Sequence, residues 1–125
     1  VFGGVLERHP KLKVCLVHGG GFVPYQAGRW AHGWKVRPEP KVNLKQSPEP
    51  WIDRFYYDTI LHAKPQLEFL VASAGPTRVV IGTDYPYDMG TGECVRQVDA
   101  LWIDDTEKAA ILNGNAVTLF GVGKA

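Results

Sequence analysis

The sequence predicts an α/β fold in which helices cover a parallel sheet. Three short apolar runs, at residues 13–17, 54–59 and 78–82, are rich in the β-branched and aromatic residues of buried strands. Segments with a helical spacing of apolar residues lie between these runs and after the last one. Strands that alternate with helices in this order are typical of parallel sheets, because a helical crossover returns the chain to the edge at which the previous strand began.

Helices are predicted on both sides of each strand. A helix end at residues 1–8 precedes the first strand, and Pro10 separates the two. Asp104, Asp105 and Thr106 are candidate caps for the last helix. The Pro-rich stretch Arg37–Pro50 is predicted to be an irregular surface loop. The remaining helices are predicted at about Pro24–Trp34, Pro65–Ala74, Glu93–Leu101 and Asp105–Leu119.

The composition indicates one globular domain over residues 1–125. Hydrophobic residues make up 45% of the chain and charged residues 22%, which is the balance of a soluble protein with a core. A net charge of +1 offers no basic excess for a nucleic-acid partner. No apolar run reaches the roughly 18 to 20 residues of a membrane span, and no signal peptide is apparent. We therefore expect no membrane partner and a cytoplasmic location.

Chemically reactive side chains follow all three predicted strands. His18 comes directly after the first strand, Asp58 lies near the end of the second with His62 beyond it, and Asp84 follows the third. The carboxyl ends of parallel strands meet at one edge of a sheet or barrel, where ligands bind and catalysis occurs. We expect these side chains to form a candidate active site at that edge.

Each of these residues also has a structural interpretation, which the sequence leaves open. His18 precedes the triplet Gly19–Gly21, and a His in such a position can simply hydrogen-bond a loop carbonyl. Asp84 suits an Asx turn or a helix cap. Asp58 and His62 suit the orientation of loops. The glycine triplet itself matches neither of the common phosphate-binding motifs.

Two separated motifs resemble the amidohydrolase superfamily. The first runs from Leu16 through the glycine triplet to Pro24 and continues in Gly28-Arg29, His32-Gly33 and Arg37-Pro38, and the second is the segment at 82–86, Gly-Thr-Asp-Tyr-Pro. In this order they resemble the C-terminal half of the enzymes in the aminocarboxymuconate semialdehyde decarboxylase branch of this superfamily. The resemblance implies the C-terminal portion of a (β/α)8 barrel. It also implies a metal-dependent, non-oxidative decarboxylase of a small unsaturated or aromatic carboxylate.

The resemblance assigns roles to four residues. Asp84 matches an aspartate that ligates a single divalent metal, most often zinc, and His18 matches a histidine that acts as acid and base beside it. Arg29 matches an arginine that binds a substrate carboxylate in the neighbouring subunit's site, which implies a homodimer. An arginine suits this role because its fork binds a carboxylate through two hydrogen bonds. Tyr87 matches a pocket-lining aromatic residue, usually Phe in the family.

The sequence departs from the family pattern in its metal ligands. The family's HxH pair on the first strand and a further histidine on the fifth have no match here, whereas a catalytic zinc normally has three protein ligands. We expect the chain to belong to a longer enzyme and to be inactive alone. Two alternatives stay open: another hydrolase or hydratase of the superfamily that uses the same metal site, and an inactive structural fragment.

Overall fold

In a computed structural model, which describes residues 1–123, the chain contains a parallel sheet of three strands in the order β1-β2-β3. Cys15 lies opposite Tyr56, and Tyr57 lies opposite Val79. The strands are β1 (Cys15–Leu16), β2 (Tyr56–Asp58) and β3 (Val79–Val80). They are shorter than the predicted runs because turns begin close to them, at His18–Gly20 and Pro76–Arg78. The predicted fold class is confirmed.

The helices follow the predicted alternation. Both long helices begin with a proline in their first turn, where its missing N–H costs no hydrogen bond. Asp104 caps α6 as predicted, in a capping box with Glu107. Within residues 1–123, no helix has the length and apolar composition needed to cross a bilayer. The helices are α1 (Val5–Arg8), α2 (Val23–Val36), α3 (Glu49–Ile52), α4 (Lys64–Ala74), α5 (Cys94–Asp99), α6 (Asp105–Ala109) and α7 (Asn115–Phe120).

Apolar side chains cover both faces of the sheet. Tyr57 and Val79, which are partners in the sheet register, lie in the larger core cluster together with Leu67 and Leu70 of α4. Tyr56 and Val80 belong to a separate, smaller cluster with Leu119. Side chains alternate along a strand, so two faces of the sheet serve these two clusters. Burial, with a smaller effect from the negative charge of Asp53, raises the pKa of Tyr57 to about 12.

Both cysteines are free thiols. Cys15 lies in β1 and Cys94 begins α5. Burial, and then the negative charge of Asp58, raises the pKa of the Cys15 thiol. The negative charge of Asp58 in β2 therefore acts on the Cys15 thiol in the neighbouring strand β1.

The prediction of an irregular surface loop at Arg37–Pro50 is wrong in part. Leu44 is only 1% exposed and Pro48 is also buried. The Trp34 indole N–H donates a hydrogen bond to the Leu44 carbonyl over 3.0 Å, which joins the segment to α2. This stretch therefore adds a buried apolar side chain to the fold, and α3 begins within it at Glu49.

The helix predicted at about Asp105–Leu119 is present, but it is not a regular α-helix throughout. A π turn at Ala110–Gly114 separates α6 from α7. In this turn the Ile111 carbonyl accepts a hydrogen bond from the Ile81 N–H over 3.1 Å. The helix thus gives a backbone acceptor to the segment after β3, which a regular α-helix would use internally.

Candidate active site

His18 and Asp84 lie together at the carboxyl edge of the sheet, although β2 separates the strands that carry them. The His18 Nε2 atom is 3.6 Å from the Asp84 Oδ1 atom. This separation is longer than a hydrogen bond but suits an ion pair when the imidazole is protonated. The His18 side chain is 60% exposed and that of Asp84 only 18%. An accessible imidazole therefore lies beside a carboxylate that is largely shielded from water.

The loops after the strands contain strained backbone. His18, His62 and Asp84 have φ angles of 55°, 57° and 58°, in the left-handed region. For residues other than glycine this conformation costs on the order of 1 to 2 kcal/mol each. Such outliers persist only where the surroundings hold them, and they concentrate at functional sites. The strain therefore supports a functional interpretation of this edge.

The glycines behind His18 are required by close packing. Gly19 has a φ of 60°, and a Cβ there would lie 2.6 Å from the Leu61 side chain. Gly20 has a φ of 76°, and a Cβ there would lie 2.5 Å from the Tyr57 ring. Only residues without a side chain allow the chain to turn here while His18 stays at the sheet edge.

The loop that carries Asp84 is closed by backbone hydrogen bonds. The Tyr87 N–H donates to the Asp84 carbonyl over 2.9 Å, and the Thr91 N–H donates to the Thr83 carbonyl over 2.8 Å. A Cβ on Gly90 would lie 3.0 Å from the Thr83 and Tyr87 carbonyl oxygens. The backbone on either side of Asp84 is therefore tightly packed.

The structural interpretations of the two residues do not account for their side chains. An Asx turn at Asp84 needs the N–H of the residue two positions on, and Pro86 has none. The adjacent turn instead uses the Thr83 hydroxyl, which accepts from the Tyr85 N–H over 3.3 Å. Within residues 1–123, the polar contact of the His18 ring is with Asp84 and not with a loop carbonyl. Both side chains thus remain available to a ligand.

Arg29 and Tyr87 are not joined to this pair. Arg29 is exposed near the middle of α2, and Tyr87 is 71% exposed in the loop after Asp84. Across residues 1–123, neither side chain forms an ion pair with His18 or Asp84. The structure brings together two of the four predicted site residues, and the roles of Arg29 and Tyr87 stay predictions.

Two residues of β2 and its end contact the loops on both sides. The Asp58 Oδ1 atom accepts hydrogen bonds from the Gly19 N–H over 2.9 Å and the Ile60 N–H over 3.1 Å. The Thr59 hydroxyl accepts from the Gly82 N–H over 3.1 Å, and Thr59 is 0% exposed. The sequence placed Asp58 at this edge, as a candidate site residue or as a residue that orients a loop, and gave Thr59 no role. The sequence signal for both residues was their position as a polar pair at the end of a strand rich in aromatic residues.

One residue at this edge, Asp84, is suited to be a ligand of a divalent metal. No three His, Cys, Asp or Glu side chains converge on a metal site within the described part of the chain. The Asp84 carboxylate is shielded, and no backbone N–H within that part donates to it, so its oxygens suit a cation. A catalytic zinc takes about three protein ligands. This edge alone does not supply them.

The comparisons with known proteins identify the family. The amidohydrolase family profile matches residues 1–122, so the chain belongs to the amidohydrolase family. It is 36% identical over 126 residues to a 2-amino-3-carboxymuconate-6-semialdehyde decarboxylase from Dictyostelium discoideum, covering 98% of this chain and 34% of that protein. The enzyme of the same name from Caenorhabditis elegans is 38% identical over 79% of this chain and 25% of its own length. The chain thus spans about a third or less of these relatives.

A solved structure supports the barrel fold. The crystal structure of 5-carboxyvanillate decarboxylase from Novosphingobium aromaticivorans DSM 12444, complexed with manganese and 4-hydroxy-3-methoxy-5-nitrobenzoic acid, matches with a TM-score of 0.79. It is 25% identical and covers 95% of this chain and 36% of that chain. A further relative, a 2-keto-4-carboxy-3-hexenedioate hydratase from a Sphingobium strain, is 26% identical over 94% of this chain and 36% of its own length. The proteins that this chain resembles therefore include both decarboxylases and a hydratase.

Replacing Gly19 by alanine tests whether the loop behind His18 is fixed by packing. The new Cβ would clash with Leu61 in a left-handed backbone, so we expect the free energy of unfolding to fall by about 2 to 4 kcal/mol. Gly28→Ala is the matched control, because Gly28 lies in α2 with nothing within 4 Å of a Cβ. The free energy of unfolding of Gly28→Ala should rise by about 0.5 to 1 kcal/mol. Urea denaturation measures both, and equal stability of the two variants would contradict the packing account.

Proposed function

We propose that this chain is part of a metal-dependent, non-oxidative decarboxylase that acts on a small unsaturated or aromatic carboxylate, similar to aminocarboxymuconate semialdehyde. The observation that carries the proposal is the His18–Asp84 pair, 3.6 Å apart at the carboxyl edge of the sheet. The relatives named aminocarboxymuconate semialdehyde decarboxylase support the substrate class. The activity belongs to the full-length protein, and the chain alone should be inactive because it supplies too few metal ligands.

In this proposal Asp84 would contribute one ligand to a divalent metal. Zinc is our first choice, and the manganese in the related decarboxylase crystal makes Mn²⁺ the second ion to test. When bound, the metal supplies positive charge that stabilises negative charge developing on the substrate. Asp84 also faces the His18 imidazole, so its carboxylate orients the ring and stabilises the protonated form.

His18 is the residue that would move a proton. Its exposed imidazole can reach a substrate that enters at the open edge, and histidine changes charge near neutral pH. We propose that Nε2 delivers a proton to the substrate carbon that bears the carboxylate. The bond between this carbon and the carboxylate then breaks, its electron pair stays with the unsaturated system, and carbon dioxide leaves. The net change replaces a carboxylate by a hydrogen.

Arg29 and Tyr87 would complete the substrate pocket. The exposed guanidinium of Arg29 has no ion-pair partner within residues 1–123, so it can bind a carboxylate outside this subunit. We propose that it binds the substrate carboxylate in the neighbouring subunit of a homodimer. Tyr87, exposed in the Asp84 loop, would line the pocket of its own subunit and contact the unsaturated part of the substrate.

A hydratase or hydrolase that uses the same metal site is the second candidate, because one relative is a hydratase. Mass spectrometry of the products separates the two candidates in the full-length protein loaded with zinc or manganese. A decarboxylase releases carbon dioxide from aminocarboxymuconate semialdehyde or a resorcylate, whereas a hydratase adds water to an unsaturated dicarboxylate. If the metal-loaded full-length protein turned over none of these substrates, a structural role without catalysis would be the better interpretation.

Substitutions at the pair should separate metal binding from proton transfer. In the full-length protein, Asp84→Ala should remove the metal, because the carboxylate is a ligand. His18→Ala should retain the metal but lower kcat by roughly a hundredfold or more, the scale of general acid–base catalysis. Elemental analysis and steady-state kinetics measure the two effects. Full metal occupancy in Asp84→Ala, or normal turnover in His18→Ala, would remove that residue from the proposed mechanism.

Arg29→Ala tests the contribution from a second subunit. We expect KM to rise while the metal content stays unchanged, because Arg29 binds substrate and not metal. Lys35→Ala, an exposed cation on the same helix, is the control and should leave KM unchanged. At a substrate concentration far below the raised KM, where both variants turn over slowly, a mixture of His18→Ala and Arg29→Ala dimers should regain activity after subunit exchange. One site of each hybrid then contains neither defect.

The hybrid experiment has a clear negative result. If native mass spectrometry demonstrates exchange but no activity returns, Arg29 does not act across subunits.

A further inference from the structure

Two residues at the end of the middle strand contact both loops of the candidate site. Asp58 accepts the N–H of Gly19, the residue after His18, and Thr59 accepts the N–H of Gly82, two residues before Asp84. β2 lies between β1 and β3, so these bonds run outward from the middle strand in opposite directions. His18 and Asp84 follow strands that do not pair with each other. The loops that carry them are both hydrogen-bonded to the same two residues, Asp58 and Thr59.

The contacts of Asp58 are close and specific. One oxygen, Oδ1, receives both the Gly19 N–H at 2.9 Å and the Ile60 N–H at 3.1 Å. Hydrogen bonds to an ionised acceptor are stronger than those between neutral groups. A Cβ on Gly82 would lie 3.2 Å from the Asp58 Cβ, so the side chain also packs against the backbone that leads to Asp84. Asp58 therefore touches the backbone of all three strand ends.

Thr59 is enclosed completely. Its side chain is 0% exposed, and its hydroxyl lies 3.1 Å from the Gly82 nitrogen and 3.5 Å from the Gly82 carbonyl oxygen. The Leu61 N–H donates to the Thr59 carbonyl over 2.8 Å, which turns the chain sharply after β2. Because the buried Thr59 hydroxyl bonds both backbone polar groups of Gly82, it has little freedom to move.

The strained backbone explains why such contacts matter. His18 and Asp84 both have left-handed φ angles, a conformation that an exposed loop would leave without support. The bonds to Asp58 and Thr59 act on residues one and two positions away from this strain. They are the side-chain hydrogen bonds, within residues 1–123, that connect β2 to these two loops.

We infer that Asp58 and Thr59 are positioning residues that fix the separation of His18 and Asp84. Neither needs to touch the substrate, because each acts through the backbone next to a site residue. The inference rests on the proposed function for its effect on turnover, but not for its effect on geometry. Loss of either contact should let the His18–Asp84 separation increase, and a displacement of about 1 Å can lower a rate by roughly a hundredfold.

Paired substitutions in the full-length protein test this inference. Asp58→Ala removes the acceptor, whereas Asp58→Asn keeps an oxygen that can accept both N–H groups. Thr59→Val removes the hydroxyl at nearly constant shape, whereas Thr59→Ser keeps it. Asn115→Ala is the stability control, because Asn115 donates to the Pro76 and Val79 carbonyls, before and at the start of β3, and not to the loops that carry His18 and Asp84.

The kinetic result separates positioning from simple stabilisation. We expect kcat to fall by about tenfold to a hundredfold in Asp58→Ala and Thr59→Val, with little change in KM or metal content. Asp58→Asn and Thr59→Ser should recover most of the rate. Asn115→Ala should lower the melting temperature without lowering kcat of the folded enzyme. Normal kcat in folded Asp58→Ala and Thr59→Val, or an equal loss in Asn115→Ala, would overturn the inference.

A second readout does not depend on activity. Hydrogen exchange should be faster at the Gly19 amide in Asp58→Ala and at the Gly82 amide in Thr59→Val, and crystal structures of both variants should show a wider His18–Asp84 separation. An unchanged separation would refute the positioning role even if the enzyme proves to catalyse another reaction. A wider separation in a protein that releases no carbon dioxide would instead retain the positioning role and reject the proposed decarboxylase.

Discussion

The hydrogen bond from the Gly19 N–H to the Asp58 carboxylate, 2.9 Å long, connects the loop after β1 to the end of β2. Much of the candidate site depends on this bond and on its counterpart between Thr59 and Gly82. Parallel pairing brings the strand ends to one edge but does not determine the conformation of the loops beyond them. Side chains of the middle strand supply that second constraint. His18 and Asp84 can therefore approach to 3.6 Å across an intervening strand.

Close packing under the loop after β1 complements these hydrogen bonds. Gly19 and Gly20 turn against Leu61 and the Tyr57 ring, where no Cβ fits. The Tyr57 ring belongs to the main core, so the loop after β1 rests directly on the packed interior. Core packing and site geometry are thus coupled at this point. Part of the stability of the sheet offsets the cost of the left-handed backbone at His18.

Much of the fold could be predicted from the sequence, because apolar runs and proline positions are local signals. The same signals placed His18 and Asp84 after their strands. The separation of the two side chains could not be predicted, since it depends on contacts made by Asp58 and Thr59 across the sheet. The sequence left Asp58 open between a site residue and a loop contact, and Thr59 looked like an ordinary strand residue.

Other differences also have long-range causes. The π turn in the last helical segment coincides with the bond between Ile81 and Ile111, which are 30 positions apart in sequence. Leu44 is buried where the Trp34 indole N–H bonds its carbonyl, and its polar, Pro-rich surroundings gave no sign of this burial. The proposed role of Arg29 lies in a neighbouring subunit, so it depends on contacts between two chains.

β2 holds His18 and Asp84 together at the carboxyl edge of the sheet, and we propose that a divalent metal binds at this edge. Anomalous diffraction from crystals of the full-length protein grown with Mn²⁺ tests it most directly, since manganese is the ion in the related decarboxylase crystal. The account predicts an anomalous peak in contact with the Asp84 carboxylate, with the His18 imidazole beside it and the Asp58–Gly19 hydrogen bond intact. A peak bound by other residues, with Asp84 turned away from it, would contradict the account.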